Sequence, residues 1–257
     1  MKKSEYQHTL KEHFLELRQR TIFCVIFFFI TAIICYFFSQ EIYQFLLQPF
    51  LEVSGNHQNR KLIYTSPAEA FMTYLKLSIH SALFFSLPIF LAEIYLFLSP
   101  ALYKNEKKNV LLIFFFAPFL FLCGATFAYF FILPLALQFF ASFEITDSIA
   151  YQNFSILFET KISEYFSFVK NMLFGFGIAF QLPILLLFLI KVDCLSVNDL
   201  RQKRRYCIVA IFIAAAILTP PDVVSQMSLA VLLILLFEIV ILIGKNFNNK
   251  KGKQHGY

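Results

Sequence analysis

The sequence predicts an all-α integral membrane protein of six spanning helices, with both termini on the cytoplasmic or matrix side. Three observations predict it. Of the 257 residues, 59% are hydrophobic and only 15% charged, where soluble domains are roughly 45–50% apolar. The apolar residues gather into runs of spanning length, about 20 helical residues for a hydrocarbon core of roughly 30 Å. Lysine and arginine then concentrate in every second loop, the pattern of the positive-inside rule. The net charge of +6 therefore reports topology. No charged, patterned stretch is long enough for a soluble domain, and no basic face on a soluble fold suggests nucleic acid.

The stretch HTLKEHFLELRQRTIFCVIFFF, residues 8–29, runs from charge straight into an apolar wall. The apolar part, 21–39, is longer than a signal-peptide h-region of about 7–15 residues and lacks a small-residue cleavage site, so it reads as a retained first span. The next three spans are expected at about 71–98, 109–133 and 165–190. The fifth, at 206–219, is short: Tyr206–Leu218 reaches only about 20 Å at ~1.5 Å per residue. It either thins the bilayer or sits inside protein. TPPD (219–222) ends it, because Pro220 and Pro221 remove donors and clash backwards. The sixth span follows at about 226–244 and is also of modest length. Residues 1–257 thus form one membrane domain, with 245–257 a basic, disordered tail.

The loops alternate in charge. The N-terminal segment holds Lys2, Lys3, Lys11, Arg18 and Arg20, and SPALYKNEKK holds Lys104, Lys107 and Lys108. KVDCLSVNDLRQKRR holds Lys191, Arg201, Lys203, Arg204 and Arg205, and the tail holds Lys245, Lys250, Lys251 and Lys253. The loop after span one has only Arg60 and Lys61, and the loop 134–164 sets Lys161 against Glu144, Asp147, Glu159 and Glu164. These last two loops are long, contain amphipathic pieces such as EIYQFLLQPFLEV, and are expected to fold into an outer cap.

Ionisable residues inside spans cost roughly 2.5–3.5 kcal/mol each on insertion scales and call for a reason. Lys76 and Lys170 lie near outer ends and can snorkel. His80 reads as a hydrogen-bonded histidine between helices or as a proton site. Glu93 and Glu238 read either as interhelical hydrogen-bonding groups or as contacts to a partner helix or lipid. Span four combines Gly175, Gly177, Gln181 and Pro183, which gives a kinked helix with a polar notch. In a closed bundle the notch pairs internally; on an open face it docks another helix.

No G-x-S-x-G, H-E-x-x-H or P-loop is present, and no second ligating side chain accompanies His80. The five cysteines make no C-x-x-C pair and read as small buried thiols. Neither a catalytic site, a metal nor a cofactor is expected. A small-molecule permease is the competing class, though the spans show no inverted repeat.

On the inner side, Glu12 and Glu16 form an i,i+4 pair and Glu16 faces Arg20. A solvated helix end with a weak ion pair explains this blandly. The next inner loop, however, carries Glu106 among lysines, beside Phe97, Pro100 and Tyr103. Two carboxylates on adjacent elements bracket a cationic group, and a guanidinium pairs with them bidentately.

With these pieces in hand, the sequence resembles the TatC family, the multi-spanning core of the twin-arginine protein translocase. The matching pieces are HFLELRQR, SPAEAF, FLSPALYKNEKK, SEYFSFVKNMLFGFGIAFQLP, DLRQKRRY and LTPPDVVSQ, in order from about residue 8 to 244. The resemblance implies a concave, glove-like six-helix receptor for the signal peptides of folded cargo. It implies that Glu16 and Glu106 pair with the two signal-peptide arginines, that Arg18 orients a neighbouring acceptor, and that Phe97 packs at the pocket. Gln181 and Gln226 would contact a partner helix, and Pro49, Pro220, Pro221, Asp222 and Glu238 would serve structure or assembly. Many members carry Glu where this chain has Gln181, which keeps the hydrogen bonding and removes the ionisation. The implied partners are single-span subunits of the TatA and TatB type and further copies of the chain, with the proton-motive force as energy source. The default setting is a bacterial cytoplasmic membrane; the Phe-, Ile-, Lys- and Asn-rich composition also suits an organelle-encoded copy in a mitochondrial or thylakoid membrane.

Overall fold

Residues 10–54, 61–98, 104–144, 159–191 and 194–254 are described by the structure, a computed structural model. The chain is built almost wholly of helices: α1 (Leu10–Phe37), α2 (Ser39–Ser54), α3 (Glu69–Leu98), α4 (Lys104–Phe127), α5 (Leu133–Ala141), α6 (Ile162–Ala179), α7 (Leu182–Lys191), α8 (Val197–Gln202), α9 (Arg204–Leu218) and α10 (Val223–Gln254). Among the described residues, five stretches are long and apolar enough to cross a membrane: Phe14–Phe37, Glu69–Ile94, Phe116–Ala141, Ile162–Ile190 and Val223–Lys245. The short fifth element expected from the sequence is α9, with 15 residues. The last helix is not short. It runs for 32 residues, because no proline follows Pro221 and the polar NFNNKK segment continues the helical turn.

Prolines set the breaks, each in its own way. Pro183 would drive its ring into the carbonyl of Ala179, and α6 ends at that residue before α7 resumes at Leu182. Thr219–Asp222 separates α9 from α10, and the Asp222 carboxylate accepts from the Ser225 N–H at 2.7 Å, capping α10. Pro134 instead lies in a helix that continues. A π-helical turn, Ala128–Ile132, joins α4 to α5, with the Leu133 N–H donating to the Ala128 carbonyl. Widening the helix just before the proline accommodates its ring. The third crossing therefore extends to Ala141, beyond the expected run 109–133.

One end of the bundle carries a cap. Helix α2 crosses it, and a two-residue parallel ladder pairs β1 (Leu62–Ile63) with β2 (Thr160–Lys161). Glu69, in the first turn of α3, accepts from the Thr65 N–H at 2.6 Å and from the Ser163 hydroxyl at 2.6 Å, joining the starts of α3 and α6. Within α2, Pro49 cannot donate to the Phe45 carbonyl. The Tyr129 hydroxyl supplies that donor at 2.6 Å. The Tyr165 hydroxyl donates to the next carbonyl, that of Leu46, at 2.7 Å, and the Phe50 N–H bonds to the same hydroxyl. Both tyrosines are buried. Replacing Tyr129 by Phe keeps the ring stacked on Phe45, 4.6 Å between centroids, and strands one carbonyl. The expected cost is about 1–3 kcal/mol, read as a lowered melting temperature in detergent; an unchanged midpoint would show that water reaches the carbonyl.

Glycines bring the central helices together. A Cβ on Gly124 of α4 would lie 2.6 Å from the Phe176 carbonyl oxygen of α6, and one on Gly177 would lie 2.5 Å from the Phe121 ring. A Cβ on Gly175 would lie 2.7 Å from the Leu218 carbonyl oxygen of α9. Gly175 and Gly177 are about 200° apart around α6, so the helix presses against a neighbour on two opposite sides. Helix α1 stands apart from this core: only 6% of its apolar window is buried, and its main neighbour is α3.

Candidate functional site

The end opposite the cap gathers the start of α1, the end of α3, the start of α4, and the α8–α9 corner. Helices α1 and α3 are antiparallel neighbours, because the cap returns the chain through α2 before α3 begins at Glu69. Among the described residues, their polar contact joins Glu16, Arg20 and Glu93. The Arg20 guanidinium donates to Glu16 Oε1 from Nε at 3.1 Å and from Nη2 at 2.8 Å, and to Glu93 Oε2 from Nη1 at 2.6 Å. Glu16 and Arg20 meet because residues four apart share a helix face. Glu93 arrives from the facing helix, and its side chain is the least exposed of the three, at 19% against 25% for Arg20 and 32% for Glu16. The pairing answers the question Glu93 raises within its span: its carboxylate is satisfied by an interhelical ion pair.

Geometry places the other expected residues relative to this cluster. Glu16 lies one turn, about 6 Å, further toward the end of the bundle than Arg20. Phe97, half-buried in the last turn of α3, lies one turn beyond Glu93 in the same direction. Residues 99–103 lie outside the described residues; Glu106 follows on the first turns of α4, and its side chain also lies outside them. Arg18 is exposed. Two residues from both Glu16 and Arg20, it sits on the opposite face of α1. The structure thus brings Arg20, rather than Arg18, to Glu16. The i,i+4 spacing signals the first contact of Arg20. Its second was concealed because Glu93 is 73 residues away, although both lie about equally far in from this end.

The other residues singled out by sequence fall elsewhere. Gln181, at the α6–α7 break, donates from Nε2 to the Ala117 carbonyl at 3.0 Å, so the notch pairs internally. Glu238 of α10 accepts from Arg204 Nη2 of α9 at 2.9 Å, with both side chains half-exposed. Gln226 lies in the first turn of α10, its N–H bonded to the Asp222 carbonyl at 3.1 Å. His80 Nδ1 contacts the Lys76 carbonyl on its own helix at 2.6 Å, an arrangement in which Nδ1 carries the proton. Nearer the cap, a groove of about 460 Å³ opens between α2, α3, α4 and α6; Phe45, Leu77, Phe84 and Tyr129 line it, with His80 and Lys170.

Fold and site together define a multi-pass helical membrane protein with a carboxylate cluster that grips a guanidinium at one end and an aromatic groove toward the other. The family model of the Sec-independent protein translocase protein TatC matches residues 12–231. The Rickettsia prowazekii (strain Madrid E) Sec-independent protein translocase protein TatC is 44% identical over 236 residues, 92% of each chain. The tatC-like protein ymf16 of Reclinomonas americana is 37% identical over 91% of this chain and 86% of its own. A crystal structure of the twin arginine translocase receptor TatC superposes with a TM-score of 0.74 at 34% identity, covering 91% of this chain and 99% of that one. The chain belongs to the TatC family, and is a translocase component rather than an enzyme or a permease.

Proposed function

We propose that this chain is the receptor subunit that binds twin-arginine signal peptides at the end carrying Arg20, and that this end faces the cytoplasm. The carrying observation is that the Glu16 carboxylate already holds a guanidinium through two N–H groups, at 2.8 and 3.1 Å. The signal-peptide arginines pair with Glu16 and Glu106, Phe97 packs against the peptide beside them, and Arg18 binds a peptide polar or carbonyl group from its own face of α1. The N-terminal and α8–α9 basic residues support the cytoplasmic assignment through the positive-inside rule.

Single-span TatA- and TatB-type helices dock on the membrane-facing flanks, with the Phe45–Phe84–Tyr129 groove and Gln226 as contact candidates and Gln181 as another once its bond to Ala117 is exchanged for one to the partner, and the proton-motive force drives export. Pro49, Pro220, Pro221, Asp222 and Glu238 shape the scaffold for assembly into a multi-copy complex. The membrane is the bacterial cytoplasmic membrane; a mitochondrial inner or thylakoid membrane is the organellar counterpart. A fluorescent twin-arginine signal peptide is expected to bind the purified protein in nanodiscs, with Glu16→Gln weakening it about tenfold, the worth of one charge-assisted contact. Equal binding of a twin-lysine peptide would refute the reading.

A further inference from the structure

We propose that Arg20 is an internal occupant of the peptide-arginine site, and that a signal-peptide guanidinium enters by displacing it from Glu16 and Glu93. The inference rests on the receptor reading above and adds Arg20 and Glu93 to the recognition machinery. Arg20 uses three nitrogens on two carboxylates from two helices, at 2.6 to 3.1 Å. Among the described residues the cluster sets the Arg20 guanidinium against two carboxylates, so the best geometry for a guanidinium is already taken. Its side chains are 19–32% exposed, so water and an incoming side chain can reach them. Exchange of one guanidinium for another conserves charge and planar fork geometry and is close to neutral.

The same arrangement explains how arginine is told from lysine. An ammonium is a compact point charge with no rigid fork to span two carboxylates. A lysine would have to displace a group that binds better than itself. Occupation by Arg20 therefore lowers the apparent affinity of every ligand by the same factor; the preference for arginine comes from the fork geometry of the two carboxylates, and the built-in competitor sets a threshold that the weaker ligand fails to pass.

The test measures binding of twin-arginine and twin-lysine signal peptides to the full chain in nanodiscs, for wild type, Arg20→Gln and Arg20→Lys. Arg20→Gln is expected to bind the twin-arginine peptide about tenfold tighter and to gain by the same factor for the twin-lysine peptide, leaving their ratio unchanged. Arg20→Lys keeps the charge but not the fork and should fall between wild type and Arg20→Gln; it carries the test alone if Arg20→Gln does not yield monodisperse protein. Unchanged or weaker binding by the variants would overturn the proposal. So would a gain in Arg20→Gln that Arg20→Lys does not share, since that marks long-range charge alone. Failure of the wild type to prefer the twin-arginine peptide would instead overturn the receptor reading, and the proposal with it.

Discussion

Replacing Glu16 and Glu106 together by alanine will abolish export of folded twin-arginine cargo while the protein still inserts and folds. Each carboxylate is assigned one charge-assisted contact with a peptide guanidinium, worth about 1.5–3 kcal/mol. Losing both costs roughly 10²–10⁴-fold in affinity. Folding should survive, because Glu16 is a partly exposed group at the edge of the bundle and Arg20 keeps its contact with Glu93 at 2.6 Å. The measurement is transport of a folded fluorescent cargo in cells whose only receptor is the variant, beside peptide binding to the purified protein. Export at the wild-type rate would remove both residues from the recognition site.

Replacing Gly175 by valine will leave little folded protein. The added Cβ alone would sit 2.7 Å from the Leu218 carbonyl oxygen, and a backbone atom cannot swing aside as a side chain can. Overpacking in cores costs about 1–3 kcal/mol and more where the backbone must move. Here α6 cannot retreat from α9, because Gly124 and Gly177 hold its other side against α4. Gly244→Ala is the milder comparison: its Cβ would meet side-chain atoms rather than backbone, Val197 at 2.9 Å and the Ile190 side-chain end at 3.4 Å. Size-exclusion profiles and melting midpoints in one detergent should separate the two; equal midpoints would show that the central helices are not locked.

What the sequence disclosed and what it concealed divide by range. The apolar runs, the Pro220–Pro221 hairpin and the break before Pro183 are local, and each follows from residues within a turn or two. The third crossing runs past the expected end at residue 133, because a π turn before Pro134 lets the helix continue to Ala141. Pro49 is legible as a helix defect, but the donors that repair it, Tyr129 and Tyr165, lie 84 and 119 residues from the carbonyls they serve. At the site, Glu16–Arg20 follows from helical spacing, while Glu93 joins only when α1 lies against α3. Gln181 shows the same limit: its spacing marks a polar notch, and only the packed bundle reveals that Ala117 fills it.

The most direct measurement places a photo-crosslinking amino acid at position 106, then at position 16, and offers membranes a labelled twin-arginine or twin-lysine signal peptide. The receptor account predicts crosslinks from both positions to the twin-arginine peptide, lost when the two arginines become lysines and competed by excess unlabelled peptide. Equal labelling of the two peptides, or labelling from neither position while export continues, would contradict it.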